Sequence, residues 1–79
     1  MVALNRAVAV AELDGPERAL ALVDPLALES YHAWHATRAD LLRRLDRADE
    51  ARLAYDRAVE LAGNDAERQF LRGRRDQLR

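Results

Sequence analysis

Apolar residues recur at helical spacing along this chain, and short polar breaks divide them into five runs. Tyr31, Trp34, Leu41 and Leu45, for example, lie on one helical stripe. Ala, Leu, Arg and Glu dominate the sequence and β-branched residues are few, so propensity also favours helix. We therefore predict an all-α chain with helices near residues 2–13, 16–24, 30–45, 48–62 and 65–78.

Residues that start and stop helices occupy the breaks between these runs. Pro16 is well placed to open the second helix, and Gly63 is typical of the position just after a helix. Asn64 with Glu67 three residues later resembles a capping box at the start of the fifth helix. Ser30 is the one serine in the chain, and we predict that it caps the third helix.

The sequence aligns with itself at an offset of 32 residues. Small residues then fall on small ones, with Ala7 on Ala39 and Ala19 on Ala51. A repeating helix pair needs small residues where its two backbones approach closely and bulky ones where the next pair stacks. We therefore expect close contacts between Ala7 and Ala19 and between Ala39 and Ala51.

The second of these units has a characteristic set of small and aromatic positions, which are Ala39, Leu42, Ala51, Tyr55 and Ala58. This spacing resembles the tetratricopeptide repeat, although Asp46 stands in place of the expected glycine and Gly63 in place of the closing proline. The first unit, about 2–28, fits more loosely than the second, about 30–62. The resemblance implies two antiparallel helix pairs in a right-handed superhelical stack. A capping helix near 65–78 would present Phe70, Leu71 and Leu78 to the preceding pair.

Three longer runs, residues 2–11, 38–45 and 55–71, extend the resemblance to nearly the whole chain. Together they look like the C-terminal extension of a group of bacterial extracytoplasmic-function sigma factors. There, a tetratricopeptide-like domain follows the regions that bind promoter DNA and RNA polymerase. The resemblance implies a non-catalytic interaction or regulatory domain in transcription initiation. Its partners would be the upstream sigma domains, core RNA polymerase, or both.

DNA contacts in such proteins belong mainly to the upstream regions, which these 79 residues lack. We therefore expect residues 1–79 to form one domain that is a fragment of a longer chain. In repeats of this kind the first helix of each pair lines a concave groove, through residues spaced i, i+4, i+7 and i+8. The candidate partner-binding residues are Leu4, Val8, Ala11 and Glu12 from the first helix and Ala36, Asp40, Arg43 and Arg44 from the third.

Half of these groove positions are apolar and half are charged, which suits a peptide or a helix of a neighbouring domain. The alternative for each residue is ordinary surface or core filling. The first helix is apolar nearly all round, so one neighbour cannot cover it. An upstream domain or a homodimer through this helix would cover the remainder. A self-associating scaffold unrelated to transcription is accordingly the alternative function.

The last helix carries arginines spaced by four, three and four residues. Five arginines against two carboxylates leave residues 67–79 with a local charge of +3. We expect this stripe to face outwards, either as solvated surface or as a contact for an anion, a partner or phosphate. Its members are Arg68, Arg72, Arg75 and Arg79.

Two further arginines, Arg6 and Arg38, lie among apolar residues and so require a carboxylate partner for the guanidinium. The sequence does not identify that partner. Trp34 lies one turn before Arg38, which permits a cation–π contact.

Composition excludes several functions. Thirteen Arg against fourteen Asp and Glu give a net charge of −1, which draws the chain neither to nucleic acid nor to an anionic membrane. Without Cys there is no zinc finger or thiol nucleophile, and His32 and His35 lack a third metal ligand at a convincing spacing. We expect no enzyme activity, cofactor or metal. The apolar runs are too short for a membrane span, so a cytoplasmic location is the default.

Overall fold

Five α-helices make up most of the structure, a computed structural model that describes residues 2–78. Their bounds are α1 Val2–Asp14, α2 Pro16–Val23, α3 His32–Arg44, α4 Ala48–Leu61 and α5 Asp65–Asp76. A short 3-10 helix, Asp24–Leu26, continues α2 before the chain turns. No strand occurs within residues 2–78, and none of their helices is long and apolar enough to cross a bilayer. The prediction of an all-helical chain is confirmed.

The structure confirms one of the two predicted N-terminal helix caps and contradicts the other. The Asn64 Oδ1 accepts a hydrogen bond from the Glu67 backbone N–H at 2.8 Å, so the predicted cap of α5 is confirmed. The prediction that Ser30 caps α3 is wrong, because Tyr31 occupies the cap position and no side chain caps there. The Tyr31 N–H donates to the Leu28 carbonyl at 2.9 Å, and this turn leaves Ser30 one residue too early.

The turn between α3 and α4 forms without a glycine. Asp46 has a φ of 59°, in the left-handed region that Asp tolerates better than most residues. The Asp46 N–H donates to the Arg43 carbonyl at 3.1 Å and the Arg47 N–H to the Leu42 carbonyl at 3.0 Å. This hydrogen-bond pattern is a Schellman motif, the usual way to end a helix before a reversal of the chain.

Each helix packs against the next one in the chain, and α1 also contacts α3. Ala7, Ala19, Ala39 and Ala51 are all completely buried, as expected of residues at which helix backbones approach closely. The largest fully buried side chains are those of Leu42 and Val23. These residues belong to one hydrophobic core that all five helices share.

Helix α5 contributes less apolar surface to this core than predicted. Leu71 is buried and Leu78 packs against the core, but the Phe70 side chain is 60% exposed. Leu71 takes the core position in this turn of α5, and Phe70, about 100° round the helix, lies at the edge of the contact. The prediction therefore holds for Leu71 and Leu78, whereas Phe70 borders α3 and α4 without being buried against them.

Helix α1 keeps apolar residues on its surface even though α2 and α3 both contact it. Leu4 and Ala11 are buried, whereas Val8 is 48% and Leu13 84% exposed. Arg6 is exposed as well, and no carboxylate among residues 2–78 lies within ion-pair distance of it. The predicted partner for Arg6 is therefore wrong. Its guanidinium has no need of one, because it remains in water.

Trp34 joins α3 to the end of α2. Its indole Nε1 donates a buried hydrogen bond to the Val23 carbonyl at 2.9 Å. The Arg38 guanidinium lies 5.1 Å from the Trp34 ring centroid, and Arg38 Nε donates to Asp24 Oδ1 at 2.7 Å. The expected carboxylate partner of Arg38 is thus Asp24, and the cation–π contact is confirmed. Trp34 therefore contributes buried surface, a hydrogen bond and a cation–π contact where α3 meets the end of α2.

Replacing Trp34 with Phe should lower the free energy of unfolding by about 2 kcal/mol, because it leaves the Val23 carbonyl without its donor and removes buried surface. Urea denaturation followed by circular dichroism measures the change. Tyr31→Phe is the control: this side chain is 38% exposed, and the change should be below about 0.5 kcal/mol. Equal effects of the two substitutions would contradict a special role for Trp34.

Candidate protein-binding groove

Two adjoining hollows flank α3. The first, the α1/α3 hollow, has a volume of about 220 Å³ and lies between α1 and α3. Its lining residues are Val8, Ala11, Ala36, Thr37, Asp40, Leu41 and Arg44. Glu12 borders it through a 3.4 Å contact between its Oε1 and Arg44 Nη1. Residues from α1 and α3 that the sequence proposed for one groove are thus brought together here.

The second, the α3/α5 hollow, has a volume of about 280 Å³ and lies above Tyr55 of α4. Its lining residues are Ala36, Asp40, Arg43, Arg44, Tyr55, Phe70, Leu71 and Arg74. Because Ala36, Asp40 and Arg44 line both hollows, the two form one continuous surface across α3. We call this surface the α3 groove.

One predicted groove residue, Leu4, does not belong to this surface. Only 4% of Leu4 is exposed, and it lies in the hydrophobic core. Leu4, Ala7 and Ala11 of α1 are buried and follow one helical stripe, while Val8 lies at its edge. The assignment of Leu4 to the groove is wrong, and the part of α1 that lines the groove begins at Val8.

Other groove residues could not be expected from the repeat pattern. Tyr55, Phe70 and Arg74 line the α3/α5 hollow although the pattern places the groove on α1 and α3 alone. The signal that could have indicated them is the spacing of Phe70 and Arg74, four residues apart on α5. The Arg74 guanidinium lies 5.4 Å from the Phe70 ring centroid.

The charge balance of the α3 groove depends on Asp40. Its carboxylate accepts from Arg43 Nη2 at 2.6 Å and lies 3.1 Å from Arg44 Nε. The hydrogen bond to Asp40 raises the pKa of Arg43 above its ordinary value, so Arg43 stays protonated. One carboxylate therefore serves two guanidinium groups, and Arg43 Nε is buried without a hydrogen-bond partner among residues 2–78.

Tyr55 forms the floor of the α3/α5 hollow. Only 2% of it is exposed, and burial raises the pKa of its hydroxyl above the ordinary value, while the nearby Arg43 guanidinium acts in the opposite direction. The hydroxyl therefore remains protonated at neutral pH and can donate a hydrogen bond. Donors thus predominate around this part of the groove.

The arginine stripe of α5 is less exposed than predicted. Arg68 pairs with Asp65 and donates to the Ala62 carbonyl at 2.9 Å, across the end of α4. Arg75 Nη1 donates to Asp56 Oδ1 of α4 at 2.8 Å. The expectation that the stripe faces outwards is therefore wrong for Arg68 and Arg75, because both reach back to α4.

Of the other two stripe residues, Arg72 is exposed and Arg79 lies outside the described residues.

Neither histidine lines the α3 groove. His35 is buried and its Nε2 lies 2.8 Å from the Glu29 carbonyl, while His32 Nε2 lies 3.5 Å from Glu67 Oε1. Within residues 2–78 no three metal-ligating side chains lie together.

Comparison with known proteins gives one relative. A Rhizobium meliloti (strain 1021) protein described as uncharacterized is 50% identical over 80 aligned residues. The match covers 99% of this chain and 19% of the relative, so the chain spans about a fifth of that protein's length. No protein-family model and no solved structure matches the chain.

The ion pair between Arg68 and Asp65 should make stability depend on pH. The Arg68 guanidinium holds the pKa of Asp65 below its ordinary value of 3.8. A depressed carboxyl pKa contributes stability that is present above the ordinary value and is lost as pH falls through the folded-state value. Asp65→Asn should therefore lower the urea midpoint at pH 7, and the difference from the parent should shrink at pH 3.

Arg68→Gln supplies the control for this pH dependence. In that background the effect of Asp65→Asn on the urea midpoint should differ less between pH 7 and pH 3 than in the parent, because the largest cause of the lowered Asp65 pKa is gone and only the weaker attraction of Arg72 remains. An undiminished pH dependence in the Arg68→Gln background would show that Arg68 is not the cause.

Proposed function

We propose that this chain is a non-catalytic, tetratricopeptide-like interaction domain that regulates a bacterial extracytoplasmic-function sigma factor. The observation that carries the proposal is the α3 groove, which assembles Val8 of α1 with Ala36, Asp40 and Arg44 of α3. The resemblance of residues 2–11, 38–45 and 55–71 to the C-terminal extension of such sigma factors supports the link to transcription.

The packing of the helices supports a repeat architecture. The helices contact one another in chain order, and completely buried alanines stand at matching positions of the two units. In the proposed arrangement α1–α2 and α3–α4 are two repeats of a right-handed stack, and α5 is its cap. The first helix of each repeat then lines the same face, which is where the α3 groove lies.

The length of the Rhizobium meliloti relative supports a role as part of a larger polypeptide. The chain corresponds to 19% of that protein, so most of the relative is available for other domains. In the proposed role those domains would include the regions that bind promoter DNA and core RNA polymerase. The domain itself would act by docking and would not touch the promoter.

Docking would use both kinds of surface in the α3 groove. Val8 offers an exposed apolar side chain, while Arg44 and Asp40 offer directional charged contacts next to it. Apolar anchors supply most of the energy of such an interface, and charged groups at its rim determine which partner fits. The occupant would be a segment of a neighbouring sigma domain or of a polymerase subunit.

Self-association is the second candidate function. Leu13 is 84% exposed and Val8 48% exposed on the same helix, so α1 retains apolar surface that a second copy could cover. A scaffold of this kind would have no connection with transcription. Its signature is a dimer that forms without any other protein.

A binding assay with the immobilised chain separates these candidates. We expect retention of core RNA polymerase, or of the Rhizobium meliloti relative produced without its matching segment. Val8→Asp and Arg44→Glu should each reduce retention at least about tenfold, since they place charge on an apolar contact and reverse a charged one. Circular dichroism confirms that the variants are folded.

Leu53→Asp is the matched control for this assay. Leu53 is 72% exposed on α4, away from the α3 groove, so its substitution should leave retention unchanged. An equal loss in this variant would contradict docking through the groove. If neither partner is retained and sedimentation shows a stable dimer that Val8→Asp dissociates, the sigma-factor role fails and the scaffold is supported.

A further inference from the structure

The two halves of the α3 groove differ in charge. The α1/α3 hollow is lined mainly by apolar side chains, with Asp40 and Arg44 at its border with the second hollow. The α3/α5 hollow is lined by three arginines, Arg43, Arg44 and Arg74, and by a single carboxylate, that of Asp40. The lining of the α3/α5 hollow thus has a surplus of two positive charges.

These arginines retain hydrogen-bond donors for a ligand. Arg43 and Arg44 share the Asp40 carboxylate and Arg44 Nη1 also lies 3.4 Å from Glu12 Oε1, but each guanidinium carries five N–H donors, more than these contacts use. Arg74 lies over Phe70 and forms no ion pair with a carboxylate elsewhere in the described part of the chain. A partner carboxylate in this hollow would therefore meet donors that Asp40 does not satisfy.

Phe70 gives the same hollow an apolar contact surface. Its ring is 60% exposed and faces the hollow beside Arg74. Burial of an aromatic ring stabilises an interface strongly, and Arg stacked on such a ring keeps its guanidinium edge available for hydrogen bonds. An apolar surface next to a cationic one fits a ligand that carries both kinds of group.

We infer that the α3/α5 hollow binds a short acidic segment of a partner protein, with a carboxylate on Arg43 and Arg74 and an adjacent bulky apolar side chain on Phe70. A second apolar side chain of the segment enters the α1/α3 hollow beside Val8. The inference rests on the proposed function, because it specifies the chemistry of the partner that occupies the same groove.

An acidic protein segment fits the α3 groove better than other anionic ligands, such as nucleic acid or a cofactor. A polyanion such as nucleic acid would extend along the whole groove and past Glu12 on the α1 side, on a chain with a net charge of −1, whereas a single carboxylate contacts only the arginine-lined α3/α5 hollow. The hollows, of about 220 and 280 Å³, are smaller than typical cofactor pockets. Two small hollows side by side suit a chain that places one side chain in each.

The probe for this site is a fluorescein-labelled decapeptide of glutamate, leucine and phenylalanine, compared with the same peptide carrying glutamine or lysine in place of glutamate. Fluorescence anisotropy at low salt measures binding to the 79-residue chain. We expect the glutamate peptide to bind at least about tenfold more tightly than either counterpart, because charge-assisted hydrogen bonds to arginine need the carboxylate.

Two substitutions and one matched control locate the site. Arg74→Gln and Phe70→Ala should each weaken binding of the glutamate peptide about three- to tenfold. Arg72→Gln removes an exposed arginine from the same helix but outside the hollow, and it should leave affinity unchanged. Equal affinity for glutamate and glutamine peptides, or an equal effect of Arg72→Gln, overturns the inference.

The outcome also separates this inference from the proposed function. Acidic-peptide binding that depends on Arg74, without retention of polymerase or of the remainder of the relative, supports the site and removes the sigma-factor role. Retention of those partners through Val8, without acidic-peptide binding, supports the docking role and overturns the partner chemistry. Duplex DNA binding that depends on Arg74 as strongly as peptide binding also overturns it.

Discussion

The placement of α3 against the end of α2 is the constraint on which the rest of the structure depends. Trp34 fixes this placement through its hydrogen bond to the Val23 carbonyl. Because this hydrogen bond is buried, it is stronger than the same bond in water. Arg38 covers the exposed side of the indole and is itself held by Asp24. Because α1 packs on α2, a shift of this joint would move α1 relative to α3 and change the α3 groove.

The groove in turn combines charged side chains, most of them on α3, with apolar surface from the neighbouring helices. Asp40, Arg43 and Arg44 occupy one face of α3, so their ion pairs form within a single helix and cost little ordering of the backbone. Val8 and Phe70 come from the helices on either side. A small domain can thereby present a chemically varied surface without a deep cavity.

Features that depend on local sequence could be predicted, whereas those that depend on the path of the chain could not. The Asn64 cap involves residues three apart, so the sequence around Asn64 was enough to predict it. Asp24 as partner of Arg38 follows only from the turn at residues 24–31, which brings residues 14 apart into contact. The same turn displaced the start of α3 from Ser30. In α5, periodicity alone could not decide between Phe70 and Leu71 as the buried residue.

The position of Trp34 also makes the domain its own optical reporter. It is the one tryptophan in the chain, and it is buried beside His35 and Arg38 where α3 meets the end of α2. Fluorescence excited at the long-wavelength edge of the protein's absorption therefore comes from Trp34 alone. Any partner that moves α3 relative to α2 would change the emission wavelength without a label.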